Sequence, residues 1–188
     1  FRFIKGEALS QVEANILFQI RLPRALSAAI LGGALGLSGY LLQTFFHNPI
    51  AGPFVLGISS GAKLTVALVM VFLLGQAVKV SSAALILSAF FGAFFSMGFV
   101  LLMAKAVDKM SMLIVSGVMI GYICSAITDF VVTFAEDSDI VNLHGWSQGS
   151  FSGMSWSNVY ISCVVVGITL ALTFLLSKPI GAYQLGEA

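Results

Sequence analysis

Few side chains in this sequence can do chemistry, because only 9% of its 188 residues are charged and two are histidines. Arg21 and Arg24 flank a Leu-Pro pair at the mouth of an apolar run. Guanidiniums there serve either as interfacial anchors or, if exposed, as bidentate partners for carboxylates, which gives orientation and fast encounter. Asp129 stands in a line with Gly117, Gly121, Ser125 and Thr133, each four residues after the last. Positions four apart share a helix face, drifting by about 40° per step, so this is one slanting line that turns from small to polar and suits a water-filled path. An ionised Asp facing lipid near mid-helix would cost at least about 2.5 kcal/mol, which directs Asp129 toward water or protein; a structural hydrogen bond to a neighbouring helix is the rival to a pore-lining role. His47 and His144 belong to different loops expected on opposite faces, with no HExxH motif or paired carboxylates, so a metal or acid–base site is poorly supported. Cys124 and Cys163 lie in separate apolar runs without a CxxC spacing and read as small hydrophobes. No GxxxxGK[ST] loop is present to cradle a nucleotide, and no cofactor site is expected.

The elements that carry these residues follow from composition. A chain that is 59% hydrophobic, with a mean hydropathy of +1.02, belongs in lipid, and its net charge of +1 without a basic run excludes nucleic acid as a partner. Asp, Glu, Lys and Arg are absent from Ala25 to Ala62, Leu64 to Val78, Val80 to Ala104, Met110 to Thr128 and Ile140 to Ser177. A bilayer core of about 30 Å needs roughly 20 apolar helical residues. Asn48-Pro49 and Gly52-Pro53 interrupt the first interval, because proline lacks the donor that a helix interior needs. The spans are therefore expected at about 16–46, 61–74, 81–104, 111–135 and 157–177, after an external segment 1–15. The second is short and needs bilayer thinning or a snorkelling Lys63. Residues 147–153, rich in Ser and Gly and bracketed by Trp146 and Trp156, suit an interfacial loop. Buried backbone must be satisfied internally, and period-2 alternation is missing, so the fold class is an all-α polytopic transmembrane bundle.

Small residues four apart let helices approach closely, as Gly32 with Gly36 and Ser88, Gly92 and Ser96 do here. Lys63, Lys105, Lys109 and Lys178 collect on one face; Lys79, Glu136, Asp137, Asp139 and the N-terminal segment with Arg2, Lys5, Arg21 and Arg24 collect on the other. Loop lysines alone make the first face cytoplasmic, but counting the N-terminal segment removes the decision, so charge leaves orientation open.

Several separated motifs then carry a resemblance. Arg21-Leu22-Pro23-Arg24, Gly32-Gly33-Ala34-Leu35, Ser38-Gly39, Gln43, Asn48-Pro49-Ile50-Ala51-Gly52-Pro53 and Leu56-Gly57-Ile58-Ser59-Ser60-Gly61-Ala62 occur in order. With Leu113-Ile114-Val115-Ser116-Gly117-Val118, Trp146-Ser147-Gln148-Gly149-Ser150 and Leu185-Gly186-Glu187, they closely resemble the FecCD-type permeases of bacterial ABC importers. Such permeases have about ten spans and move iron-siderophores, haem or cobalamin through the bacterial inner membrane. The resemblance implies that the chain, which lacks an initiator Met, is the first half of such a protein, with about five of its spans. It implies that Arg21 and Arg24 face outside as docking points for a substrate-binding protein, and that Lys105, Lys109 and Lys178 face inside. It further implies an inner gate at Asn48, Ile50, Met110 and Ser111, with Met110 bulkier than is common in relatives; a tight turn is the alternative there. Residues 178–188 resemble the start of a coupling loop, in which Leu185, Gly186 and Glu187 meet an ATPase. The implied partners are a second permease copy, two ATP-binding subunits that use ATP and Mg, the external binding protein and membrane lipid.

Two rivals differ in kind. A channel or secondary transporter would use Asp129 as an ion or proton site and work without an ATPase, and a membrane-embedded enzyme would need a catalytic constellation that the histidines do not form. The residues do not identify the chelate.

Overall fold

Uninterrupted apolar runs leave the backbone no water to bond, and the chain responds by closing its hydrogen bonds within helices. The computed structural model describes residues 10–52, 54, 56–74, 82–106 and 110–186. In it α1 spans Gln11–Phe46, α2 Ile58–Val69 with a π-helical continuation Met70–Leu74, α3 Ser82–Ala104, α4 Met110–Val132, α5 Asp137–Gln148, α6 Trp156–Leu175 and α7 Ser177–Gln184. The chain is all-helical, as its composition requires. Among the described residues four helices are long and apolar enough to cross a membrane, α1, α3, α4 and α6, whereas the stretch Ile58–Phe72 of α2 is apolar but shorter.

Two units emerge, Phe1–Leu37 with Ser150–Ala188 and Ser38–Gly149. In the second unit α2 packs against both α3 and α4, burying Gly61, Val66 and Ala67. This explains how a short helix is tolerated, since α2 is flanked by protein and need not match the bilayer by itself. Contact between α2 and α3 is close enough that a Cβ on Gly92 would overlap the Gly61 carbonyl oxygen and Thr65 Oγ1. Thr65 Oγ1 donates to the Ser88 carbonyl at 2.7 Å and Ser96 Oγ to the Gly57 carbonyl at 3.0 Å. Interhelical bonds of this type contribute about 0.6 kcal/mol each in lipid, so close packing made possible by glycine is the larger organising factor.

One core cluster joins Phe46, Ala51, Leu56, Val100 and Leu113, gathering the end of α1, the loop after it, the end of α3 and the start of α4 at one end of this unit. A second cluster joins Val66, Ala67, Met70 and Leu143, with Trp146 against it, and holds α5 near the other end of α2.

Three expectations need correction. The acidic stretch after α4 is not loop: α5 starts with Asp137 and Asp139 in its first turn, where acids favour the helix dipole, and Leu143 is buried one turn on. His144 and Trp146 therefore sit on a helix. The helix α4 itself ends at Val132, three residues before the expected end of span four at 135, its ladder tightening through Thr133 N to Phe130 O and Phe134 N to Val131 O. The helix that carries span one starts before the expected span, at Gln11, because Ser10 and Glu13 form a reciprocal capping box.

Candidate functional site

The arginine pair at the start of α1 lies in the first unit. Residues 16–21 of α1 form a π-helical stretch, and Leu22 donates its N–H to the Leu17 carbonyl, five residues back. Pro23, fully buried, follows. Arg21 is exposed and makes no ion pair or hydrogen bond among the described residues. Arg24 differs: it is half-buried, its Nη2 donates to the Ser152 carbonyl, and its Nε is buried without a partner among the described residues. The exposure that a docking guanidinium needs is present at Arg21, whereas Arg24 is half-buried. Trp156 Nε1 donates to the Phe18 carbonyl at 3.0 Å, so two long-range bonds join this stretch to residues 152 and 156. Sequence reasoning took Trp156 as an interfacial anchor and missed this bond, although Pro23 inside a helix was a signal that some carbonyl would need a new donor.

The line on α4 divides in two. Gly117 is buried against Leu56, with an added Cβ at 3.0 Å from the Leu56 Cα, and Gly121 meets Gly57 at 3.2 Å in the same sense. Gly57 answers with a left-handed backbone, φ +69, that places it 2.7 Å from the Gly117 carbonyl were a Cβ present. These two glycines are helix-packing positions. Farther along, Ser125 Oγ lies 3.5 Å from Ser60 Oγ, Thr133 Oγ1 donates to the Phe130 carbonyl, and Asp129 is exposed. Asp129 stands in the last turn of α4 and not at mid-helix, where the cost of a charge falls toward the interface value. The rival to a pore-lining role, a structural hydrogen bond from Asp129 to a neighbouring helix, is not present among the described residues.

At the opposite end of the second unit, Asn48 and Ile50 sit in the turn after α1. Asn48 Oδ1 accepts from the Ile50 N–H at 2.9 Å and the Asn48 carbonyl from Ala51 N at 3.1 Å, which makes a tight Asx-type turn. Buried Ala51 and Leu56 pin this turn to the core and leave Ile50 75% exposed. Ser111, in the first turn of α4, is exposed at the same end; the Met110 side chain lies outside the described residues. The two expected gate segments are thereby brought to one end of the α2–α4 unit.

In the first unit, α6 separates the arginine end from α7: twenty residues from Trp156 to Leu175 span about 30 Å. The terminal segment continues as the helix α7, followed by Leu185, 90% exposed, and by Gly186 at φ +77, a left-handed helix stop. Glu187, Lys79 and Lys109 lie outside the described residues. No group of three His, Cys, Asp or Glu side chains that could hold a metal ion occurs among the described residues.

Comparison with known proteins bears on this arrangement directly. The FecCD transport family matches residues 1–188. The chain is 38% identical over 182 residues to the vitamin B12 import system permease protein BtuC of Klebsiella pneumoniae subsp. pneumoniae, covering 97% of this chain and 54% of that protein. It is 35% identical to the protein of the same name from Salmonella paratyphi A, covering 97% and 55%. A solved structure described as an inward-facing conformation of a metal-chelate type ABC transporter superposes with a TM-score of 0.81 at 26% identity, covering 96% of this chain and 56% of that one. The chain spans about half the length of the relatives that it matches.

Proposed function

Because this chain belongs to the FecCD transport family, we propose that it contributes about half of the membrane-spanning permease of a bacterial ATP-driven importer for metal chelates or cobalamin. The observation that carries the reading is similarity to vitamin B12 permeases along nearly the whole chain. The helical framework, shared with a metal-chelate transporter, supports it.

In this reading Arg21 meets acidic residues of an external substrate-binding protein, its exposed guanidinium giving orientation and a fast encounter. Arg24 supports the same face from beneath, its Nη2 being engaged by Ser152. Cargo passes along the polar lower part of the α4 line, Ser125, Asp129 and Thr133, while Gly117 and Gly121 hold α4 against the Leu56–Gly57 turn that shapes the path. Asn48, Ile50, Met110 and Ser111 form a constriction at the far end, where the pinned turn keeps Ile50 presented. Leu185, Gly186 and Glu187 lead into contact with an ATPase.

The working assembly is two permease copies, two ATP-binding subunits and one external binding protein. ATP with Mg, bound by those subunits, has different affinity for the inward-open and outward-open arrangements and so drives their exchange; the permease transmits the bias through the segment after α7. Loaded binding protein should stimulate ATP hydrolysis by the purified complex of the full-length permease. Failure of that permease to form any stable complex with an ATP-hydrolysing subunit contradicts the proposal.

A further inference from the structure

The π-helical stretch at the start of α1 has a covalent cause and a structural consequence. With Leu22 bonded to the Leu17 carbonyl, the next carbonyl, Phe18, would in this register receive the N–H of residue 23. Residue 23 is proline and has none. The donor comes instead from across the unit, as Trp156 Nε1 at 3.0 Å. Six residues after Phe18, Arg24 Nη2 holds the Ser152 carbonyl, so the two bonds tie the same short piece of α1 to both ends of the 152–156 segment. An extra residue in a helical turn rotates whatever precedes it by about 100° relative to the helix that follows. Arg21, the last residue of the stretch, is therefore aimed by the register that this pairing holds in place.

We propose that Trp156 and Arg24 are positioning residues, clasping the first turns of α1 to the 152–156 segment and thereby aiming Arg21 at an acidic face of the external binding protein. The proposal rests on the docking role given above to Arg21. It assigns Arg24 to the support of that cation rather than to the partner, because the Nη2 is spent on Ser152 and the Nε is buried.

A mutant cycle in the full-length permease, purified with its ATPase, tests this. Trp156→Phe keeps an aromatic ring, though a smaller one, and removes the donor, and should lower the thermal midpoint by about 2–4 °C. In a Pro23→Ala background the backbone N–H at position 23 takes over the Phe18 carbonyl, and Trp156→Phe should then cost little. An equal cost with and without Pro23 marks Trp156 as an interfacial anchor only and overturns the clasp. The double variant, restored in stability but held to the 152–156 segment by Arg24 alone, should still bind the cognate substrate-binding protein several-fold more weakly than wild type, because Arg21 must be ordered further during docking. Unchanged affinity overturns the positioning role. Failure of the wild-type permease to bind that protein overturns the docking reading itself, while the stability cycle still judges the clasp.

Discussion

The clearest division of labour at the scale of single residues is between Arg21 and Arg24, two identical side chains three positions apart. Arg21→Glu should abolish binding of the external protein, measured by surface binding to the reconstituted complex, while leaving the thermal midpoint unchanged. Arg24→Ala should lower both, because it also releases Ser152. A rim charge alters encounter, whereas a half-buried fork also holds structure. Asp129→Asn should leave uptake driven by ATP and insensitive to a protonophore, since an exposed carboxylate in the last turn of α4 carries no obligatory proton step. Uptake that a protonophore abolishes in the parent protein and that Asp129→Asn removes would point instead to a secondary transporter. Residue types were legible in the sequence, but their surroundings were not. Nothing in Arg-Leu-Pro-Arg says which guanidinium is covered, because the carbonyl that covers Arg24 lies 128 residues away. Likewise, the spacing of Gly117, Gly121 and Ser125 corresponds to positions that meet Leu56, Gly57 and Ser60, whereas Asp129 lies on open surface and Thr133 stands just past the helix end.

Among elements, the long apolar runs located α3, α4 and α6 to within a few residues, because length and the absence of charge are what lipid demands of a helix. Elements with mixed composition were harder. Asp137–Gln148 is too polar for a span, and its helix depends on acids at the dipole's positive end and on Leu143 buried against Val66 and Met70, the second of which only the tertiary structure supplies. The approach of α2 to α3 was legible as small-residue spacing at Ser88, Gly92 and Ser96, and it is the best test of the packing. Gly92→Ala should destabilise the full-length protein by about 1–3 kcal/mol, because the new methyl meets the Gly61 backbone, which cannot rotate away. Ser88→Ala, which gives up only a bond to its own helix at the Leu85 carbonyl, should change little. Thermal unfolding in detergent measures both.

For the whole molecule, each unit leaves much of its helix surface apolar and exposed, including Phe90, Phe94 and Phe95 on α3 and Val164, Val165 and Ile168 on α6. Exposure of this kind is untenable in water and suits lipid or further helices of a larger bundle, in keeping with relatives about twice as long. The central claim is that such a bundle carries cargo inward at the expense of nucleotide hydrolysed by another subunit. Its most direct test is accumulation of a labelled corrinoid or ferric chelate in proteoliposomes containing the full-length permease, its ATP-binding subunits and the external binding protein. The account expects accumulation only when all three proteins and ATP with Mg are present. Accumulation by the permease alone, driven by an ion gradient without ATP, would contradict it.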